Sequence, residues 1–361
     1  MNTIRNGNDM TKALAEKWER GGAIFLPVGE YPVTDPVLMN TPSLRVQGEV
    51  WAYNLDPNGV FETRFGSKLR LVGKDHAAFS IGASGLPAGS MISDIGIQGD
   101  IIGMDTRGLF DPERPWESAG LYFGGERVDQ GDFNKISCCG LAAGVSCGEN
   151  SEIDACDFRK INVDGCDVGF YFGPRVSYYT RFHRCIVGDT PSYGFFGNSE
   201  GAKICTMEIC DTHFVRNAGA NHITGFPNAA VLLNGVRMST FMNNKIDDAG
   251  TFWYFEPDAK SNSDKTVFKN PAISFYLVGK KNQIMNNVIT RSSAEAMVIK
   301  GDENAIVGNV VDNDVIIEGA GNIVNCLTFT KPESKLILKG AAAQNTAVIG
   351  VEEHRIVKIF S

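Results

Sequence analysis

Asp164 and Asp189 stand 25 residues apart, each beside a glycine (Asp164-Gly165, Gly188-Asp189), and Arg184 lies five residues before the second. Two carboxyl groups held a few ångströms apart suit two kinds of chemistry. One can protonate a leaving oxygen while the other acts as nucleophile or base, which is what breaking a glycosidic bond requires. Alternatively, the pair can hold Ca²⁺ while an arginine takes a proton from a uronic acid, a lyase reaction. An aspartate after glycine is also an ordinary turn residue. Glu200, between Asn198-Ser199 and Gly201, reads from its surroundings as a turn carboxylate and nothing more.

Aromatic side chains surround these acids. Tyr178, Tyr179, Phe182 and Tyr193 are near in sequence, and Trp116 sits in a Pro-rich stretch. Sugar C–H faces pack on aromatic rings, and of two adjacent residues in a strand one faces outward. Tyr178 and Tyr193 are therefore candidate sugar contacts, with Asp164 and Arg184 as candidate polar ones. Gly144-Val145-Ser146-Cys147-Gly148 matches the spacing of a serine nucleophile elbow, but no helix follows and the sister repeats carry Tyr171 and Phe196 at the serine position. His183, His213 and His222 with Cys185, Cys205 and Cys210 lack the short spacings of a zinc site, so no metal and no other cofactor is expected.

The elements that must position these residues are read from a repeat. Gly144, Gly169 and Gly194 open similar apolar segments at intervals of 25, as do Ile136, Ile161 and Ile186, and Arg159 and Arg184. That period fits one rung of a parallel β-helix, three short strands at ~3.3 Å per residue joined by turns. On this reading Asp164 and Asp189 share one edge, ~4.8 Å apart. Later rungs carry Asn282, Asn304 and Asn322, with Asn286, Asn309 and Asn325 nearby, as expected where stacked amides bond to one another. Met10, Leu14 and Trp18 share one face of a helix over 9–20, with Asn8 or Asp9 as N-cap and Gly21-Gly22 as its end; it is placed to cap the first rung. The stretches 105–118, 216–228 and 256–271 read as long loops. The fold class is all-β: one right-handed parallel β-helix domain over 1–361, its core filled by the 22 Phe with Ile, Val and Cys.

The chain of 361 residues has a formal net charge of −8, which disfavours nucleic acid and anionic membranes. Seven charged side chains in the first 20 residues exclude an apolar leader there, and the nine Cys read as buried, reduced thiols. The expectation is a cytoplasmic protein, or a secreted one whose leader was removed.

Gly21-Gly22-Ala23-Ile24-Phe25-Leu26-Pro27-Val28-Gly29-Glu30-Tyr31 resembles the opening coil of pectate-lyase-like right-handed β-helices. A narrower resemblance, over Gln47 to Phe61 and Glu152 to Glu200, is to the inulin fructotransferase and difructose dianhydride III hydrolase family, glycoside hydrolase family 91. That resemblance implies a homotrimer acting on β-2,1-linked fructose, with active sites between subunits and an Asp and a Glu eleven residues apart. Asp189 and Glu200 match that spacing, with Glu200 as acid/base and Asp189 as nucleophile or stabilising carboxylate. It implies an oligosaccharide substrate and leans to hydrolysis of difructose dianhydride III to inulobiose. The alternatives are release of difructose dianhydride from inulin, the calcium-dependent uronan lyase, and a glycan-binding β-helix without catalysis.

Overall fold

The computed structural model describes residues 2–3, 5, 7–11, 22–52, 66–82, 87–99, 105–125, 127–173, 177–199, 203–255 and 265–360. The chain winds as a right-handed parallel β-helix. Its described strands form a 21-stranded sheet, a 16-stranded sheet and one antiparallel hairpin. One rung runs through Arg181–His183, Ile186–Thr190 and Tyr193–Asn198, and closes with Ile204–Cys205. Corners between strands are made by single residues in the left-handed region, here Arg184 (φ 56°), Asp189 (φ 47°) and Thr206 (φ 53°). Such a residue turns the chain sharply while leaving both neighbours extended, so short strands can follow one another without loops.

In-register stacking fills the core. Phe133 faces Phe158, which faces Phe182, and their ring centroids lie 5.0 and 4.8 Å apart. Phe170 and Phe195 repeat the arrangement on another side. Each buried Phe contributes roughly 1.5–3 kcal/mol by leaving water, so the phenylalanine excess is the core itself. The nine cysteines form no disulfide; eight are buried and Cys326 is exposed. Burial pushes Cys156 and Cys185 up to about 12, which keeps them as inert apolar filler.

Asparagine ladders line two corners of the C-terminal rungs. The Asn304 carboxamide accepts from the Asn282 backbone N–H and Nδ2, and donates to Gly279 O and Asn322 Oδ1. Asn244, Asn287 and Asn309 form a second ladder. Asn286 stands one residue earlier, at the left-handed corner itself (φ 54°).

The 25-residue register holds for Gly144, Gly169 and Gly194, whose flanking residues pair directly. It does not hold for Ile186 or Arg184. Asn162 pairs with Ile186 and Arg159 with His183, an offset of 24. Ile153 pairs with Ser177, so the turn after Phe172 is one residue shorter than its counterpart one rung earlier. The missing residue is recovered between Asp189 and Tyr193, where Asp164 pairs with Gly188 but Val168 with Tyr193. Asp189 thus sits one position past the strand partner of Asp164.

Two expected loops contain strands. Arg216 and Asn217 end the strand His213–Asn217, and Lys265–Lys269 pairs antiparallel with Thr251–Phe255. Both carry alternating or β-branched residues that the surrounding Pro and Asn obscured. Of the helix expected over 9–20, only its start is described: Asp9 Oδ1 accepts from the Thr11 N–H at 2.9 Å and Met10 is buried. Residues 12–20 and the Tyr53 to Phe61 motif lie outside the described residues. Among the described residues no helix is long and apolar enough to cross a membrane.

Asn304→Ala strips four hydrogen bonds from buried Asn282 and Asn322 and half-buried Gly279 and should cost about 2–4 kcal/mol in denaturant unfolding, whereas Asn243→Gly, at an exposed left-handed corner (φ 57°), should change stability by less than about 1 kcal/mol.

Candidate functional site

Asp189 is fully buried. Arg216, at the same corner one rung on, closes on it with Nε to Oδ1 at 2.7 Å and Nη2 to Oδ2 at 2.6 Å. The Trp253 backbone also hydrogen-bonds to this carboxylate. Trp253 belongs to the antiparallel hairpin, and two cations pack on its ring: the Arg216 guanidinium at 4.0 Å and Lys265 Nζ at 3.4 Å from the centroid. Such a fork-on-carboxylate pair, covered by an indole, pins the hairpin over the corner.

Asp164 stands beside this pair, half-buried, with Oδ1 enclosed and without a hydrogen-bond partner. Its partner residue Gly188 leaves it room, since a Cβ there would come 3.2 Å from Oδ1. Burial and then the Asp189 charge push the Asp164 carboxyl well above the usual carboxylate range. Burial also raises Asp189, but the hydrogen bonds and charge of Arg216 pull it back. The two titrate as a pair whose proton resides on Asp164.

A second site opens at the other end of the strand Tyr193–Asn198. A cleft of about 800 Å³ lies between the outer face of the 16-stranded sheet and the segment 105–118. Trp116 and Tyr122 meet edge to face at 6.2 Å on one wall, Tyr171 forms the floor, and Glu113, Glu149 and Asn198 bring polar groups to the rim. Aromatic rings flanked by carboxylates and amides are what a sugar ring needs: C–H faces pack on the aromatics and hydroxyls bond at the edges.

Polar anchors hold the segment that carries Trp116. Ser146 Oγ donates to Pro115 O, and Phe110 N–H donates to Asp167 Oδ2. Asp167 also accepts from Ser192 Oγ at 2.7 Å, and His222 lies 3.1 Å from Ser192 Oγ through Nδ1 and 3.2 Å from Phe110 O through Nε2. Ser192 and Ser146 are both fully buried, so these serines tie loops to the sheet. Tyr193 does the same: its buried ring stacks on Phe196 at 4.6 Å, its hydroxyl donates to Pro227 O, and it does not line the cleft.

Arg184 does not meet Asp189. It is exposed at the preceding corner, and Asp189 lies toward the far end of the strand Ile186–Thr190 that follows it. The strand pairing puts Arg216 opposite Asp189 in the next rung, so Asp189 meets it and not Arg184, its nearer neighbour in sequence. Tyr178 is half-buried in Ser177–Tyr178 and is not among the residues lining the cleft. Glu200 lies outside the described residues. Tyr122, Tyr171, Glu113 and Glu149 were not singled out by sequence; outward-facing positions Tyr122, Ser146, Tyr171 and Phe196 do align rung by rung, a signal the repeat carried.

The Asp164 assignment has a pH signature. The folded chain binds the Asp164 proton more tightly than the unfolded chain, where the value is about 3.9. Folding therefore takes up a proton above that pH, and stability falls as pH rises toward the native value. Asp164→Asn, a neutral mimic, should raise the melting temperature at pH 7.5, and the gain should vanish near pH 3.5, where both states are protonated.

No family model matches the chain, and no curated protein does. Solved structures do. The DFA-IIIase (difructose dianhydride III hydrolase) of Arthrobacter chlorophenolicus A6, crystallised without its lid, superposes with a TM-score of 0.68 at 14% identity, covering 99% of this chain and 96% of that one. The same enzyme in complex with GF2 gives 0.68 at 14% over 99% and 95%. A mutant of it in complex with DFA-III gives 0.66 at 13% over 99% and 96%. At this identity the likeness establishes the fold: along nearly its whole length the chain has the β-helix architecture of these DFA-IIIase structures.

Proposed function

We propose that the protein is a glycoside hydrolase acting on fructosyl linkages, opening difructose dianhydride III to inulobiose. The observation that carries this reading is the cleft of Trp116, Tyr122 and Tyr171 with its carboxylate and amide rim, on a β-helix whose structural neighbours include complexes with GF2 and DFA-III. Glu200, two residues beyond Asn198 at the cleft rim, protonates the departing glycosidic oxygen. The C–O bond breaks toward a fructosyl oxocarbenium ion, which a carboxylate stabilises. Water then adds at that carbon and returns its proton to the base.

Asp189 is the second carboxylate of this reading. The strand Tyr193–Asn198 that separates it from the cleft is six residues long, roughly 20 Å at ~3.3 Å per residue. The two carboxyls of a glycosidase act about 5–10 Å apart, so Asp189 of the same chain is too far from the cleft to act on a sugar bound there. The reading therefore joins the cleft of one subunit to the Asp189 corner of its neighbour in a homotrimer. It also requires Arg216 and the hairpin to yield, because Asp189 has no exposed surface in the single chain.

The calcium-dependent lyase is less favoured. Its metal would need the oxygens of Asp189 that Arg216 occupies, and its base would be Arg184, which lies at another corner.

The purified protein, incubated separately with difructose dianhydride III and with inulin, should yield inulobiose from the former; product from inulin alone would make it a fructotransferase, and activity on neither would sink the reading. Glu200→Gln and Asp189→Asn should each lower kcat by about 10²-fold or more in a folded protein. Trp116→Ala should raise KM by roughly 10-fold with a smaller effect on kcat. Asp189→Asn that melts earlier yet turns over normally would leave Asp189 as the hairpin pin alone.

A further inference from the structure

The corner that holds Arg184 is unlike its continuation along the helix. In successive rungs it is occupied by Asp94, Lys135, Lys160, Arg184, Asp211, Asn243, Asn286 and Gly308, aligned by the pairing of the strands on either side. All of these have positive φ, between 53° and 65°. The later rungs use Asn and Gly, which accept this conformation readily. Three consecutive rungs instead use long cations, which do not, and place them about 4.8 Å apart, where like charges repel. Two unfavourable choices coincide at one place.

Neighbouring acids compensate only part of this charge. Lys135 pairs with Asp94 at 3.0 Å, and Arg159, beside Lys160, pairs with Asp132 at 2.6 Å. Among the described residues Lys160 and Arg184 make no ion pair. Both are exposed, and both line a cavity of about 360 Å³ together with Asn134, Arg159, His183 and Asp211. His183 Nε2 is enclosed and makes no hydrogen bond, although Glu208 Oε2 lies 3.4 Å away. Asp211 closes one lip, and its carboxylate accepts from Asn243 Nδ2.

We propose that this cavity binds a small tetrahedral oxyanion, a phosphate or sulfate group, between Lys160 and Arg184 with His183 and Asn134 as polar partners. An ammonium and a guanidinium converging from adjacent rungs offer donors on two sides of such a group, and the anion relieves the repulsion that the stack otherwise carries. The volume admits either free phosphate or the phosphate of a sugar ester. The site is separate from the aromatic cleft and does not depend on what that cleft cleaves.

The test is thermal unfolding at pH 7 in sodium chloride, inorganic phosphate or fructose phosphate at matched ionic strength. Wild-type protein should melt roughly 2 °C or more higher in millimolar phosphate than in chloride. A larger shift with fructose phosphate identifies a sugar ester as the source, and an equal or smaller one identifies free phosphate. The Lys160→Asn/Arg184→Asn variant puts a residue suited to the left-handed corner at both positions, so it should melt higher than wild type in chloride and lose the phosphate response. His183→Gln should weaken the response without moving the melt in chloride. Equal wild-type melting in phosphate and chloride, or a response retained by the double variant, overturns the proposal.

Discussion

The rung-to-rung register of the parallel ladders governs everything else in this molecule. Core rings such as Phe133, Phe158 and Phe182 stack only if each rung places the same position over the last, and the left-handed corners make that possible in few residues. A change in the length of one rung therefore has to be undone within that rung. The short turn after Phe172 is undone immediately after Asp189, so the corner of the two aspartates and the register correction are the same stretch of chain.

From that correction follows the chemistry of the corner. Shifting Asp189 one position past the partner of Asp164 turns it toward the next rung, where Arg216 meets it with both guanidinium donors. Asp164 is left without a partner, and the asymmetry decides where the proton of the pair resides. Two carboxyls that sequence spacing made equivalent become one paired acid and one unpaired acid. The antiparallel hairpin that covers them is held by the same arginine through Trp253.

Much of the architecture was legible in the sequence because it repeats. The glycines 144, 169 and 194, the phenylalanine excess and the recurrent asparagines each report a stacked column, and stacked columns survive small errors of alignment. What did not survive was pairing across a changed register: Arg184 is the arginine near Asp189 in sequence, five residues back, while the partner of Asp189, Arg216, lies 27 residues on. Tyr193 reads as a sugar contact because it lies near Asp189 in sequence, yet its hydroxyl is tied to Pro227 O. The aromatic cleft was half legible. Trp116 stood out as an aromatic in a loop, but Tyr122 and Tyr171 gain their meaning only when that loop packs back over the outer sheet face, a long-range contact that no local pattern encodes.

The central claim is that each site is completed by two chains, the aromatic cleft and Glu200 from one and Asp189 from the next. Subunit mixing measures this directly: Asp189→Asn and Glu200→Gln chains, each inactive alone, are dissociated together, reassembled and assayed on difructose dianhydride III. Random assembly leaves about a quarter of the sites with both native carboxylates, so roughly a quarter of wild-type activity should return. A mixture as inactive as either variant alone would contradict the claim.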